Sequence, residues 1–248
     1  REAKSKFFKI LSFVNVKGSS IARESDSIVY THSGPEIGVA STKNYIAQLL
    51  NIYLFSLYLA QIKWTLTEDE LAEKINELKH LPEKIEQILN LNDHIKAIAE
   101  KYVDSKNYLF IGRQLNYPTA LEGALKLKEI SYIHATGYAA GELKHGPIAL
   151  IDKNVPVVCI CPQTSTYDKM ISNIQEVKAR EGNIIAIGTN GDDVESIADD
   201  YIPVPECSED ISPLLTVIPL QLLSYHTAIL LGCNVDQPRN LAKSVTVE

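Results

Sequence analysis

Three charged residues occupy one predicted helix at a spacing that suits proton transfer. Glu122, Lys126 and Glu129 stand at positions i, i+4 and i+7 within residues 118–132, so they share one helix face. A carboxylate beside an ammonium group can carry a proton, and the neighbour tunes its pKa. A solvated face with one ion pair fits the same spacing, and Thr119 with Glu122 also matches a capping box. An acid–base site and a structural helix face both stay open.

A histidine in a segment rich in glycine and proline is the second candidate. His145 lies between Gly141, Gly146 and Pro147, a composition that predicts a loop. Loops at sheet edges often carry functional residues, and histidine titrates near neutral pH. An exposed loop histidine without a role is the alternative. No pair of histidines has metal-ligand spacing with a further acidic ligand, so we expect no catalytic metal.

The C-terminal segment supplies a candidate lysine. Residues 238–248 read PRNLAKSVTVE and contain Lys243. The segment has no glycine and no low-complexity character, which favours docking over the fraying that is usual for a terminus. A lysine can form a Schiff base with a ketone where its site lowers its pKa. A solvated lysine is the alternative.

The fourth segment precedes a predicted helix over residues 43–61. It reads GPEIGVASTK at 34–43. Ser41 or Thr42 can cap that helix, and the helix N-terminus can hold an anion. Residues 18–20 predict another turn and helix cap, without chemistry.

Alternating strands and helices must position these candidates. Short apolar runs typical of buried parallel strands stand at 10–16, 27–31, 108–112, 155–161, 183–188 and 201–204. Helical patterns stand at 43–61, 118–132, 167–180 and 213–231. This alternation predicts an α/β fold with parallel sheets flanked by helices. We expect the helix that carries Glu122 to begin at the carboxyl edge of its sheet, where such sheets bind ligands.

The segment 67–103 is charged and follows helical periodicity instead. Pro82 separates two predicted amphipathic helices and opens the second one. We interpret the segment as a helical connector between two α/β units. The unit before it has strand-like runs only at 10–16 and 27–31, and it is therefore expected to be incomplete.

The composition is typical of a folded globular protein. The chain has 248 residues, of which 45% are hydrophobic and 22% charged, and its formal net charge is −7. This length suits one large domain or two small ones. A net-acidic chain is a poor general binder of phosphate polymers, so we expect no nucleic-acid partner.

Neither a membrane nor an oxidising compartment is expected. Residues 49–59, the nearest candidate for a bilayer span, are interrupted by Asn51 and Ser56 and suit a buried helix better. The start of the chain lacks the apolar stretch of a signal peptide. The cysteines form no CxxC pair and predict buried or inert thiols in a cytoplasmic protein; they are Cys159, Cys161, Cys207 and Cys233.

Four motifs together resemble the isomerase half of the glutamine:fructose-6-phosphate amidotransferases, also called glucosamine-6-phosphate synthases. They are EIGVASTK at 36–43, LEGALKLKEISY at 121–132, GELKHGP at 141–147 and PRNLAKSVTVE at 238–248. The resemblance covers essentially the whole chain and implies two sugar-isomerase (SIS) domains. The implied divisions are the C-terminal part of the first SIS domain at 1–66, the connector at 67–100, the second SIS domain at 101–238, and a tail contributing to the active site at 239–248.

The resemblance implies that fructose 6-phosphate and glutamine-derived ammonia yield glucosamine 6-phosphate, without metal or organic cofactor. Glu129 would move a proton between C1 and C2 of the sugar, with Lys126 in support. His145 would assist ring opening from the neighbouring subunit of a homodimer, and Lys243 would stand near the sugar carbonyl. The positions that match substrate contacts are Val39, Ser41 and Ala242.

Two parts of the family pattern are missing from this sequence. They are a phosphate-binding loop of the Ser-Gln-Ser-Gly-Glu-Thr type and the N-terminal glutaminase domain. We therefore expect a piece of a longer enzyme that by itself binds phosphosugar weakly or not at all.

Two rival interpretations stay open. A non-catalytic phosphosugar-binding SIS module needs no base and no ketone-reactive lysine, so Glu129, His145 and Lys243 together favour the enzyme. The match of the C-terminal tail argues against the other rival, a simple phosphosugar isomerase or a deaminating relative.

Overall fold

The structure, a computed structural model, describes residues 2–243. It divides into two compact units, Arg1–Asn76 and Glu77–Glu248. The boundary falls inside a helix of the segment predicted as a connector.

The first unit contains a two-stranded parallel sheet of β1 (Leu11–Val14) and β2 (Ser27–Tyr30). Leu11 pairs with Ser27 in this sheet. The predicted cap at residues 18–20 is confirmed, because the Ser19 side chain accepts a hydrogen bond from Ala22 N at 3.3 Å. Phe13 of β1 meets Phe55 of the long helix edge to face at 5.6 Å. The elements are α1 (Glu2–Ser5), β1 (Leu11–Val14), α2 (Ser20–Glu24), β2 (Ser27–Tyr30) and α3 (Lys43–Lys63).

Helix α3 corrects the expectation that residues 49–59 form a buried helix. Leu57 is its buried residue, whereas Ile52, Tyr58 and Ile62 are about half exposed, so α3 is not a buried helix in this chain. Among the described residues, α3 and the segment Glu209–Leu230 are long and apolar enough to cross a membrane by length and composition. The second of these is mostly buried in the protein, and the core helix of a globular protein passes the same test.

The connector holds three helices where the sequence predicted two. They are α4 (Glu68–Lys79), α5 (Leu81–Leu89) and α6 (Asn92–Tyr102), and Pro82 opens α5 as predicted. The additional break at Asn90 and Leu91 turns the chain, so that α5 and α6 both pack on the last helix of the second unit. Their buried residues, such as Ile88 and Ile95, supply that contact.

Among the described residues of the second unit, five parallel strands form one sheet in the order β4-β3-β5-β6-β7. The predicted parallel α/β architecture is confirmed. The strands are β3 (Asn107–Gly112), β4 (His134–Ala139), β5 (Pro156–Cys161), β6 (Asn183–Thr189) and β7 (Asp200–Val204). The helices that follow the connector are α7 (Asn116–Ser131), α8 (Tyr167–Lys178) and α9 (Ser212–Leu230), and 3-10 turns span Ala140–His145, Pro147–Leu150, Asp193–Ser196 and Glu209–Ile211.

Helices cover both faces of this sheet. Leu109 and Ile111 of β3 share a buried cluster with Met170 of α8. Their neighbour Phe110 points to the opposite face, where it lies against Gly123 of α7. Alternate residues of one strand therefore anchor helices on opposite sides.

Strand β4 lies between residues 112 and 155, where the sequence predicted no strand. Its sequence HATGYA lacks the run of β-branched residues that marked the other strands. Gly137 explains the local choice, since a Cβ there would lie 2.9 Å from the Leu121 backbone of α7. Close packing of β4 against α7 thus requires glycine.

Candidate active site

Helix α7 begins two residues earlier than predicted and without the predicted capping box. The buried Asn116 at its start donates to Ser212 Oγ at 3.0 Å and accepts from Thr216 Oγ1 at 2.9 Å. Thr119 lies inside the helix, where its hydroxyl donates to Leu115 O at 3.5 Å. Long-range contacts with α9, absent from the local sequence, set this helix start.

The charged face of α7 is mostly buried, so a solvated face is the wrong interpretation. Lys126 Nζ lies 2.7 Å from Glu129 Oε2 and 3.6 Å from Glu122 Oε1. The side chains of Lys126, Glu122 and Glu129 are 5%, 12% and 23% exposed. A buried ammonium group flanked by two carboxylates keeps its charge compensated. Glu129 is the most accessible of the three and can meet a ligand.

His145 is exposed at the end of the 3-10 helix Ala140–His145. Leu143, which is fully buried, anchors that short helix from below. The turn after His145 depends on Gly146, whose φ of 144° lies in a region that side chains disfavour. In the described part of this chain, no hydrogen bond or ion pair joins His145 to the charged residues of α7.

Arg113 supports the segment that carries His145, and sequence reasoning did not select it. Its Nε donates to Asn173 Oδ1 of α8 at 3.1 Å. A Cβ at Gly141 would lie 3.1 Å from Arg113 Nη2, so the absence of a side chain admits the guanidinium group. The sequence signals were the Gly-Arg turn after β3 and the glycine in GELKHGP.

The C-terminal segment docks on the end of α7, which confirms the predicted docking as far as Arg239. Arg239 N donates to Tyr132 Oη at 2.8 Å, and the guanidinium carbon lies 4.1 Å from the centre of the Tyr132 ring. Ala242 and Lys243 follow as exposed residues. Residues 244–248 of the predicted tail lie outside the described residues.

In the first unit, a carboxylate occupies the place where the sequence suggested an anion. Glu36 accepts from Thr42 N at 2.5 Å, from Thr42 Oγ1 at 3.2 Å and from Ser41 Oγ at 3.0 Å. Thr42 stands at the N-cap of α3, but its side chain makes no capping bond. The prediction of a Ser41 or Thr42 side-chain cap is therefore wrong, because both side chains bond to Glu36 instead.

The predicted site residues divide between the two units. Val39 and Ser41 belong to the first unit, and both are half-buried. Those in the second unit are Lys126, Glu129, His145, Ala242 and Lys243.

The four cysteines are free thiols. Cys159 and Cys161 are buried in β5, and Cys207 and Cys233 are half-buried. Burial raises the pKa of Cys207 to about 11, so this thiol is protonated and unreactive near neutral pH. Among residues 2–243, no cluster of three or more His, Cys, Asp or Glu residues could hold a metal ion.

Comparisons with known proteins match this chain over both units. The SIS domain family matches residues 1–58 and 101–231. The chain is 53% identical to glutamine–fructose-6-phosphate aminotransferase (isomerizing) of Chlorobaculum tepidum and 51% identical to that of Methanosarcina mazei. Each alignment covers 100% of this chain and 40% of the relative.

A solved structure agrees with these relatives. The C-terminal domain of glucosamine-fructose-6-phosphate aminotransferase from Francisella tularensis superposes with a TM-score of 0.90 at 43% identity. The superposition covers 94% of this chain and 67% of that one.

Proposed function

Because this chain belongs to the SIS domain family, we propose that it is the isomerase portion of a longer glutamine–fructose-6-phosphate aminotransferase. The enzyme forms glucosamine 6-phosphate from fructose 6-phosphate and ammonia that a glutaminase domain on the same chain releases from glutamine. The two relatives of that name support the proposal, because they align with the whole chain at 53% and 51% identity.

The observation that carries the proposal is the ion pair between Lys126 and Glu129. A base for sugar isomerisation must stay ionised, hold a fixed direction and still reach the substrate. Lys126 fixes the carboxylate at 2.7 Å, and Glu129 keeps 23% of its side chain exposed. A binding module without chemistry has no need for this arrangement.

The proposed reaction gives a role to each of the candidate residues. His145 opens the sugar ring, and ammonia then adds to the C2 carbonyl with loss of water. Glu129 takes a proton from C1 and returns it to C2, which leaves an aldehyde at C1 and an amine at C2. Lys243 stabilises the oxygen that becomes negative during these steps. The substrate contacts come from Val39, Ser41 and Ala242.

The active enzyme is a homodimer in which His145 enters the site of the neighbouring subunit. His145 is exposed on its own chain and makes no bond to the charged face of α7 within residues 2–243. A two-fold dimer brings the same residue to both sites. Free thiols at all four cysteines fit a cytoplasmic enzyme.

The test supplies the intact protein with fructose 6-phosphate and glutamine in D2O. We expect glucosamine 6-phosphate that carries some deuterium at C2, because the base exchanges its proton with solvent. Binding without turnover would favour the non-catalytic module, and sugar isomerisation without nitrogen in the product would favour a simple isomerase. Either result would overturn the proposal.

A further inference from the structure

We propose that Tyr132 and Arg239 form a clasp that holds the C-terminal segment in register with the end of α7. The clasp would make Tyr132 a positioning residue, which sets where Ala242 and Lys243 stand relative to Glu129. This inference rests on the proposed function and adds to it the contact that aligns two parts of the site.

Two different contacts make the clasp. Tyr132 Oη accepts the backbone N–H of Arg239 at 2.8 Å. The Arg239 guanidinium group also lies over the face of the same ring, 4.1 Å from its centre, which is a favourable cation–π geometry. The hydrogen bond fixes the backbone of the segment, whereas the ring contact fixes the side chain.

Tyr132 is itself held by the end of α7. It adopts a left-handed backbone conformation with φ of 64°, and its N–H donates to Lys128 O at 3.2 Å. Tyr132 directly follows the last residue of α7 and stands three residues after Glu129. The end of α7 therefore fixes the backbone of Tyr132 relative to Glu129.

Local hydrogen bonds shape the segment that precedes Arg239. Asn234 Oδ1 accepts from Asp236 N at 3.1 Å and from Gln237 N at 2.9 Å, which forms a tight turn. Pro238 is buried directly before Arg239. Asn240, with φ of 62°, turns the chain directly after it.

The distance from the clasp to Lys243 is short. The chain from Arg239 to Lys243 can extend over at most about 14 Å. Losing the clasp would remove the two contacts that hold Arg239, so that Lys243 would be positioned less well near the substrate. Lys243 is exposed, so its cleavage by trypsin reports how firmly the segment is held.

The experiment uses the intact enzyme with Tyr132→Phe, which keeps the ring, and Tyr132→Leu, which also removes the cation–π contact. We expect trypsin to cut after Lys243 severalfold faster in Tyr132→Phe and roughly tenfold faster in Tyr132→Leu, on the scale of one or two weak contacts. We expect kcat for glucosamine 6-phosphate to fall by similar factors at an unchanged Tm. Arg239→Lys should recover part of the activity that Arg239→Gln loses, because it restores a cation.

Tyr225→Phe is the matched control, since Tyr225 lies on α9, is 45% exposed and loses the same hydroxyl group. This variant should change neither the rate of trypsin cleavage after Lys243 nor kcat. Unchanged cleavage in both Tyr132 variants would overturn the clasp. Faster cleavage with unchanged kcat would overturn its positioning role. If the wild-type enzyme makes no glucosamine 6-phosphate, the proposed function fails, and the cleavage rates still decide whether the clasp holds the segment.

Discussion

Lys126 Nζ lies 2.7 Å from Glu129 Oε2, yet the lysine side chain is 5% exposed and the glutamate side chain 23%. The cation is fixed within the helix face, while the carboxylate keeps an approach from solvent. A second carboxylate, Glu122, lies 3.6 Å from the same ammonium group. The charge of Lys126 therefore stays compensated when Glu129 exchanges a proton.

Glu129→Gln in the intact enzyme should abolish sugar isomerisation and leave glutamine hydrolysis largely intact. The general base is lost, which costs at least ~10²-fold in rate. The helix should survive because glutamine is a good helix former. Product formation and glutamate release, measured in parallel, check this expectation. Glucosamine 6-phosphate made at a near-normal rate would refute the role of Glu129.

Lys126→Met should destabilise the folded protein by about 3 kcal/mol, because two poorly exposed carboxylates lose their shared cation. Lys96→Met is the matched control, since Lys96 pairs with Glu100 at 3.8 Å and both side chains are about half exposed. The control should change stability by less than about 0.5 kcal/mol. Urea unfolding of both variants provides the comparison. Equal losses of unfolding free energy in the two variants would show that the ion pair on α7 behaves as a surface pair.

Mixed dimers should regain activity from two inactive variants. Glu129→Gln dimers lack the base at both sites, and His145→Ala dimers lack the ring-opening group at both sites. A mixed dimer carries both lesions in one site and neither in the other. Random mixing at equal amounts makes about half of the dimers mixed, so about one quarter of the wild-type site count should return.

Co-expression with two affinity tags isolates the mixed dimers for this measurement. Both parent variants must first be shown to be strongly impaired. If purified mixed dimers remain inactive, His145 does not act across the subunit interface.

Gly137→Ala should destabilise the packing of β4 on α7 by about 2 kcal/mol, which is typical of overpacking. The new methyl group would meet the Leu121 backbone at 2.9 Å, and a helix backbone cannot easily move. Gly141→Ala is the control, because its methyl group would meet the flexible end of Arg113 at 3.1 Å. Hydrogen exchange of the β4 amides should accelerate much more in the first variant. Similar rates in both would contradict the role of the close backbone approach.

Apolar periodicity was sufficient to predict most of the sheet and its parallel direction. Runs such as those at 155–161 and 183–188 became strands within a residue or two of their predicted bounds. β4 was not predicted because its conformation depends on packing against α7, and the local sequence HATGYA does not encode that contact. The start of α7 was misplaced for a similar reason, since Asn116 bonds to residues about 100 positions later.

The candidate site was predictable in residue type but not in surroundings. The spacing of Lys126 and Glu129 placed them on one face, but it did not say that this face is buried. Glu36, Arg113 and Tyr132 were not selected, because each acts through a partner that only the folded chain brings near. Ion pairs and caps made by distant residues have no periodic signal in the sequence.

The strand order of the second unit also determines how this unit can assemble during synthesis. β3 leaves the ribosome first, and each later strand finds its neighbour already made, since β4 and β5 pair with β3, β6 with β5 and β7 with β6. Helix α9 emerges last, although α5, α6 and α7 all pack against it. The nascent unit therefore exposes apolar surface until α9 has left the ribosome, and this is the interval in which it depends most on protection from aggregation.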